Sequence, residues 1–369
     1  MTDSVGRAPG RIDLMGGVAD YSGALVLQAS TAVHMTVRAV PAARLMIGNV
    51  ELTTVQVAEL AALDYATLRG ALADLPKWTL YPLGVVLVLI RHGIIDPPMI
   101  ELHVDSDVPP SVGLSSSAAL EVATARALTA GKVDPIRLAF LCQEAENEVV
   151  GAPCGVMDQI AVSLGAQRSI LPILCRPGTV EPALQLAPDL EVIGWPTGAE
   201  HDVSGLPYRR ARTAAFMGKR IIEDLTGRRS TWVSEIPEDL LDLLPEIMEG
   251  RTFLDRWGAT ADHVTTVEEA IEYPVRAATG FGAAEHLRSQ AVVAALRTSN
   301  RISLRDHFAA SHRAYGSMGL GHPAADSVVR EALDRRKVYG ARSSGGGSGG
   351  TVAVLCARGA LDDVQGVIR

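Results

Sequence analysis

The sequence predicts an α+β protein built as two domains, and three observations carry that reading. Its 369 residues exceed what one hydrophobic core commonly serves. Short runs of strand-like alternation near the start and end of the chain enclose long stretches of helical periodicity. Three segments rich in glycine and serine stand at junctions between such elements, in fixed order. They are Ala8-Pro-Gly-Arg-Ile-Asp-Leu-Met-Gly-Gly-Val-Ala-Asp-Tyr21, Pro109-Pro-Ser-Val-Gly-Leu-Ser-Ser-Ser-Ala-Ala119 and Arg342-Ser-Ser-Gly-Gly-Gly-Ser-Gly-Gly350.

Along the chain, residues 24–40 alternate well enough, with Val, Leu and Thr, to form strands after the first glycine turn. Residues 78–92 form a helix ending near Gly93. It contains the longest apolar run, residues 83–90, which is far too short for a bilayer and reads as a buried helix. Residues 100–104 are a strand leading into Pro109-Pro110, and residues 118–130 form a helix. Residues 135–150 form another, with Pro135 at its start and Gly151-Ala-Pro153 as its stop. Residues 154–164 are helical again. Three prolines between 176 and 189 break the pattern, which suits a domain boundary or an inter-lobe strand pair. The expected domains are therefore 1–185 and 186–369. The second is mostly helix, at 208–225, 284–297, 304–318 and 324–335. It closes with a strand near Val338, the glycine loop, a strand at 351–357 and a short helix.

Composition narrows the class. The chain is 47% hydrophobic, so it buries cores and is not disordered. A net charge of −8 argues against a general nucleic-acid binder. A phosphate ligand would need local arginines and backbone amides. Cys142, Cys154, Cys175 and Cys356 show no metal spacing and read as free thiols of a reducing cytoplasm. No charged-then-apolar leader opens the chain. Small-molecule partners are expected, with neither nucleic acid nor membrane.

The middle glycine segment has the layout of a phosphate cradle. Pro109, Pro110 and Gly113 turn the chain into three serines, and helix-forming residues follow. The N–H groups and dipole of a helix N-terminus favour an anion, and serine hydroxyls add hydrogen bonds or a Mg²⁺ ligand. No lysine follows, so this is not a Walker loop. An ordinary N-cap and turn is the commoner use of such a stretch. Arg11, Asp13 and Asp20 surround Gly16-Gly17, where a surface ion pair is the default. Asp158 follows Gly151-Ala-Pro-Cys-Gly155 on a helix with an apolar face. A carboxylate in that setting needs a partner, and Arg11 is a candidate. Glu144, Glu146 and Glu148 precede it on a helix. One of them suits Mg²⁺, although solvated helix-face acids are commoner.

These segments together resemble the three motifs of the GHMP kinases, small-molecule kinases named for galactose, homoserine, mevalonate and phosphomevalonate. The resemblance covers essentially the whole chain. Gly113-Leu-Ser-Ser-Ser-Ala-Ala119, Cys142-Gln-Glu-Ala-Glu146, Pro153-Cys-Gly-Val-Met-Asp-Gln159 and Gly340-Ala-Arg-Ser-Ser-Gly-Gly-Gly-Ser-Gly-Gly350 are similar to the galactokinase forms. The resemblance implies a ribosomal-S5 domain-2-like N-lobe, a ferredoxin-like C-lobe, and ATP and sugar in the cleft between them. It implies Asp158 as the catalytic carboxylate with Arg11 beside it, and Mg²⁺ held by Ser117 and Glu146. It implies that Gly113, Leu114, Ser115, Ser116, Ser117 and Ala118 hold ATP phosphates, with Ser344 and Gly346 contributing from the third motif. Trp78 and Tyr81 match an element flanking the nucleotide base. Asp20, Gly17, Val18, Gly155 and Tyr208 match positions around the sugar, and His201 precedes Tyr208 in a polar loop.

The departures from galactokinases address the acceptor. Those enzymes carry Gly-Glu-His-x-Asp-Tyr in the first motif, with the Glu-His pair reaching the C6 hydroxyl. This chain has Gly16-Gly-Val-Ala-Asp-Tyr21. L-Arabinopyranose is D-galactopyranose without C6, and a buried Glu and His with no hydroxyl to meet would be costly. The same string resembles the kinase domain of plant L-arabinokinases. The expected reaction is ATP-dependent phosphorylation of L-arabinose at C1. The alternatives are D-galactose, another pentose or a uronate, or a sugar and ATP sensor without turnover. Ser111-Val112 stands where galactokinases are glycine-rich, and Ser343-Ser344 where a threonine is usual.

Overall fold

Two strands set the plan of the computed structural model, which describes residues 3–199 and 205–369. Strand β1 (Ser4–Met15) pairs with β2 (Leu25–Pro41), and a 3₁₀ turn at Gly17–Ala19 lies between them. Contacts divide the chain into two compact units. The first holds residues 3–11, Ser30–Pro110 and Ser115–Gly165. The second holds Ile12–Ala29, Ser111–Leu114 and the described residues from Ala166 onward.

In the first unit, β2 continues to the short hairpin β3 (Leu45–Ile47) and β4 (Val50–Leu52). Helices α1 (Thr54–Ala62), α2 (Tyr65–Ala71) and α3 (Lys77–Arg91) follow, then β5 (Ile100–Ser106). Strand β5 runs antiparallel to β2, from Met35 opposite Ser106 to Pro41 opposite Ile100, and parallel to β3. Helices α4 (Ser116–Thr129), α5 (Pro135–Glu144) and α6 (Met157–Leu164) complete it. Leu83, Val86 and Leu87 of α3, Ala119, Val122 and Ala123 of α4 and Leu141 of α5 share one core. Alanines on α4 remove side-chain bulk, so a backbone can approach closely. A Cβ added at Gly6 of β1 would lie 1.9 Å from the Ala123 carbonyl oxygen.

In the second unit, β6 (Ser169–Leu174) runs antiparallel to residues 25–29 of β2 and carries the two-residue strands β7 (Thr179–Val180) and β8 (Leu184–Gln185). Then come β9 (Leu190–Pro196), α7 (Leu206–Thr226), β10 (Met248–Glu249), α8 (Gly250–Trp257) and β11 (Glu272–Tyr273). They are followed by α9 (Val275–Arg297), α10 (Leu304–Ser317), α11 (Pro323–Asp334), β12 (Val338–Ser343) and β13 (Thr351–Ala357). Strands β12, β13 and β9 form an antiparallel sheet in that order. Ile193, Val352 and Val354 of the sheet pack with Ala325 and Val329 of α11.

Several expectations from sequence need correction. The single cut between 185 and 186 differs from the observed division. Strand β6 pairs with residues 25–29, so the chain joins the second unit from residue 166, and residues 12–29 go with it. Strand β1 has no counterpart among the expected elements, where residues 8–21 stand only as a glycine-rich segment; it pairs with β2, and its second half is buried throughout. The helix expected from 154 starts at Met157, because Cys154 donates its N–H to Ala152 and Asn147 in an extended loop. Helix α9 begins nine residues earlier than the expected 284. Burial of Val275, Ala278 and Phe281 outweighs the poor helix propensity of its glycines. The closing helix is a series of turns, with Gly359 and Gly366 at positive φ. Helices α1 and α2 went unread, although Thr53 with Gln56 forms a capping box and Asp64 caps α2.

Candidate active site

Asp158 stands in the first turn of α6, where the helix dipole favours a carboxylate. Arg11, near the middle of β1 and 2% exposed, grips it bidentately: Nε to Oδ1 and Nη2 to Oδ2, both at 2.8 Å. Such a fork fixes the orientation of the carboxylate plane. A third donor is the Ser115 hydroxyl, 2.5 Å from Oδ2. Ser115 precedes α4 with φ +57°, a left-handed conformation uncommon outside glycine. Its side chain makes no cap bond to its own helix. The leading N–H groups of α4 therefore receive no help from that hydroxyl, while Asp158 does. The Asp158 side chain keeps 23% of its surface exposed.

Behind Asp158 lies a buried acidic cluster. Helix α5 ends in a π-helical turn over Ala145–Val150 that contains Glu146, which is 3% exposed. Such turns insert a residue into an α-helix and gather at functional sites. Glu121 of α4 is fully buried beside it. The Gln159 side-chain amide donates to Glu146 at 2.6 Å and to Glu121 at 3.2 Å. Burial, reinforced by the Asp158 charge, pushes Glu146 up to about 7, while hydrogen bonds from Ser117, Cys154 and Gln159 pull against that. Burial and the Glu146 charge push Glu121 well above its ordinary value. One Glu121 oxygen and the Gln159 side-chain oxygen are buried without a hydrogen bond.

Ser117, in the first turn of α4, and Glu146 are the expected Mg²⁺ ligands, and the Ser117 hydroxyl is among the groups that lower the affinity of Glu146 for a proton. Hydroxyl and carboxylate oxygens are the hard donors Mg²⁺ takes. The residues fit the ion. Among the described residues no group of three or more His, Cys, Asp or Glu is arranged to hold a metal alone. A cation here would therefore take other ligands as well.

The other expected residues of the first unit lie as follows. Ser116 is half-buried and Ala118 fully buried in the first turn of α4. Gly155 is buried in the loop before α6. On α3, Tyr81 packs at the edge of the core, and Trp78, 44% exposed, covers Gly48 of the β3–β4 turn. A Cβ at Gly48 would meet the Trp78 ring at 2.6 Å.

In the second unit, Gly113 has φ +79° and Leu114 is buried, and the neighbouring Val112 carbonyl accepts from the Thr351 hydroxyl at 2.5 Å. The first glycine turn buries Gly17, Val18 and Asp20. Asp20 Oδ1 accepts from the Tyr21 N–H at 2.6 Å. Tyr208 in the first turn of α7 meets Tyr21 edge-on, ring centres 6.0 Å apart. Buried Arg212, paired with Asp262 at 2.8 Å, faces the same Tyr21 ring. The Ser344 hydroxyl accepts from the Asp13 N–H at 3.0 Å, and Gly346 lies buried in the turn that follows. Asp13 and Arg342 form a 2.7 Å ion pair with no exposure on either side. His201 lies outside the described residues.

Sequence reasoning missed Glu121, Gln159 and the role of Ser115. Glu121 was discoverable as the lone acid in the small apolar run Ala118-Ala-Leu-Glu-Val-Ala123.

The family described as GHMP kinases N terminal domain matches residues 81–166, and GHMP kinases C terminal matches residues 292–368. A galactokinase of Streptomyces coelicolor is 31% identical over all of this chain and 88% of its own length. The chain belongs to the GHMP kinase family. Within the GHMP kinases it falls in the sugar branch, similar to arabinokinases and galactokinases. An L-arabinokinase of Arabidopsis thaliana is 31% identical over 95% of this chain, which spans 42% of that protein's length. Among solved structures, Lactococcus lactis galactokinase complexed with galactose superposes with a TM-score of 0.76 at 20% identity, over 98% of this chain and 87% of that one. This GHMP kinase has the two-lobe architecture of the family. Among the described residues no helix is long and apolar enough to cross a membrane.

Proposed function

We propose that this GHMP kinase transfers the γ-phosphoryl group of ATP to the anomeric C1 hydroxyl of L-arabinose. The observation that carries a phosphotransferase reading is Asp158, held by Arg11 and Ser115 with one edge left exposed. A carboxylate so fixed orients an acceptor hydroxyl and takes its proton as the O–P bond forms. Arg11 supplies positive charge beside it. The uncapped N-terminus of α4, at Ser116, Ser117 and Ala118, suits phosphate oxygens, and Gly113 and Leu114 lead into it. Trp78 and Tyr81 flank the base, and Ser344 and Gly346 contribute from the third glycine loop. Ser117 and Glu146 would hold Mg²⁺, which neutralises phosphate charge when bound. The raised affinity of Glu146 for a proton means that cation and proton compete for it.

Acceptor choice rests on the first glycine turn. Asp20 is the ring-hydroxyl partner there, with Gly155 and Tyr208 as further sugar contacts. Gly17 and Val18 bring no polar side chain to the place where a hexose carries its hydroxymethyl group. The similarity to the Arabidopsis thaliana L-arabinokinase supports that choice. Similarity to galactokinases supports D-galactose as the second reading.

The test is ATP consumption with L-arabinose, D-galactose, D-fucose, D-glucuronate and D-galacturonate. L-Arabinose is expected to have the highest kcat/KM, with D-galactose well below it. Equal or faster turnover of D-galactose would overturn the pentose assignment and leave the sugar kinase. Binding of sugar and ATP without ADP formation would overturn the enzyme.

A further inference from the structure

Position 17 has no room for a side chain. Gly17 sits at φ +50°, and a Cβ added there would lie 1.7 Å from the Tyr315 hydroxyl, 2.9 Å from Asp13 Oδ2 and 3.0 Å from the Tyr315 Cζ, so that the hydroxyl is by far the nearest obstacle. That φ is open to other residues at moderate cost, so the collision is the stronger bar. Tyr315 comes from α10, is fully buried, and packs edge-on against Phe281. Its hydroxyl accepts from the Val18 N–H at 3.2 Å and donates to the Gly345 carbonyl at 2.6 Å. One phenol thereby fixes the first glycine turn to the third glycine loop.

Asp13 reinforces the same link. Its Oδ1 accepts from the Gly17 N–H at 3.0 Å and from Gln28 at 2.7 Å. Its Oδ2 accepts from Arg342 at 2.7 Å and from the Gly345 N–H at 3.2 Å. The Arg342 guanidinium in turn lies 4.9 Å from the centre of the Tyr315 ring. The backbone N–H groups of residues 17 and 18 are thus both spent inside the protein.

We propose that Tyr315 is a specificity-determining positioning residue. Its hydroxyl occupies the space of a side chain at position 17 and pins Val18, so that residues 17 and 18 offer the acceptor an apolar wall and no polar group of their own. The inference rests on the reading that this turn faces the sugar. It adds that the bare turn is enforced by a residue from the other end of the chain.

A double-mutant cycle of Gly17→Ala and Tyr315→Phe tests it, with kcat and KM for L-arabinose, D-galactose and ATP and melting curves for each variant. Gly17→Ala is expected to lower kcat/KM for L-arabinose roughly 10- to 100-fold, mainly through the sugar KM, with the KM for ATP within two-fold. Adding Tyr315→Phe removes the atom 1.7 Å away. It should recover at least about five-fold. Tyr315→Phe alone should reduce the L-arabinose to D-galactose preference about 3- to 30-fold. Because both sugars share one ATP site, that ratio cancels any effect passed through Gly345.

A double variant no better than Gly17→Ala would overturn the proposal, as would a folded Tyr315→Phe whose sugar ratio stays within two-fold. Should Tyr315→Phe melt below assay temperature, Tyr315→Met carries the same comparison. If the wild type prefers a different sugar of the panel, the pentose assignment fails alone, and the cycle is read on the preferred sugar. If no sugar is phosphorylated, both fail.

Discussion

Strand β1 carries two arginine–aspartate pairs of opposite polarity. Arg11 binds Asp158, and two residues later Asp13 binds Arg342. The first pair is bidentate, takes a third hydrogen bond from Ser115, and leaves the Asp158 side chain 23% exposed. The second is sealed at 0% on both sides, and two Arg342 nitrogens have no hydrogen-bond partner. The chemistry of the pairs is nearly the same, but their use differs. An ion pair with an open carboxylate edge can engage a substrate. A sealed pair with unmet donors can only hold backbone in place, and it does so while bearing the desolvation of both charges.

Substitutions at the two aspartates should separate these uses. The largest effect is expected for Asp158→Asn, with kcat lower by about 10²–10⁴-fold and ATP affinity by titration calorimetry retained. A variant that kept most of its rate would remove Asp158 from the chemistry. Asp13→Asn should act on stability instead, because it strands a buried guanidinium. A loss of roughly 3–5 kcal/mol, seen as a lower denaturant midpoint, is the expected size. Asp158→Asn should cost less than half of that. Equal losses would erase the distinction between the pairs.

The smallest effect concerns Glu121. Its folded pKa is raised, by burial first and by Glu146 second. The folded protein therefore holds more protons than the unfolded chain at pH values above the ordinary glutamate value of 4.5. Stability must fall as pH rises from there towards the folded pKa. Glu121→Gln removes that share of the slope. At pH 8 the variant should be more stable than the wild type, with the advantage vanishing near pH 4. A pH-independent difference would contradict the buried-acid account.

The sequence made the centre of the site legible because its residues stand in short motifs. Asp158, Ser117 and Glu146 each belong to a run of glycines, serines or acids with an unusual local pattern. The Arg11–Asp158 pair spans 147 residues, yet a carboxylate on a helix with an apolar face calls for a cation, and Arg11 stands in another of the glycine-rich motifs as a candidate. Other features left no local trace. The contact of Tyr315 with Val18 crosses 297 residues, and nothing around a tyrosine in a polar helix marks it. The π-helical turn at Glu146 has ordinary helix-forming residues, so only packing against its neighbours reveals it. The division of the chain was hidden for a similar reason. It follows the pairing of β6 with β2, whereas the prolines at 177, 182 and 188 mark only local breaks.

The Asp13–Arg342 pair also places a clock on synthesis. Its members are 329 residues apart. At a translation rate of about 5–20 residues per second, Asp13 waits roughly 15–65 s for its counter-charge to be made. Until then, settling the first glycine turn would mean burying a carboxylate alone, so that turn is among the last parts of a nascent chain able to settle. The first glycine turn thus gains its buried counter-charge only when translation reaches the third glycine loop, and a ribosome that stalls before residue 342 releases a chain without it.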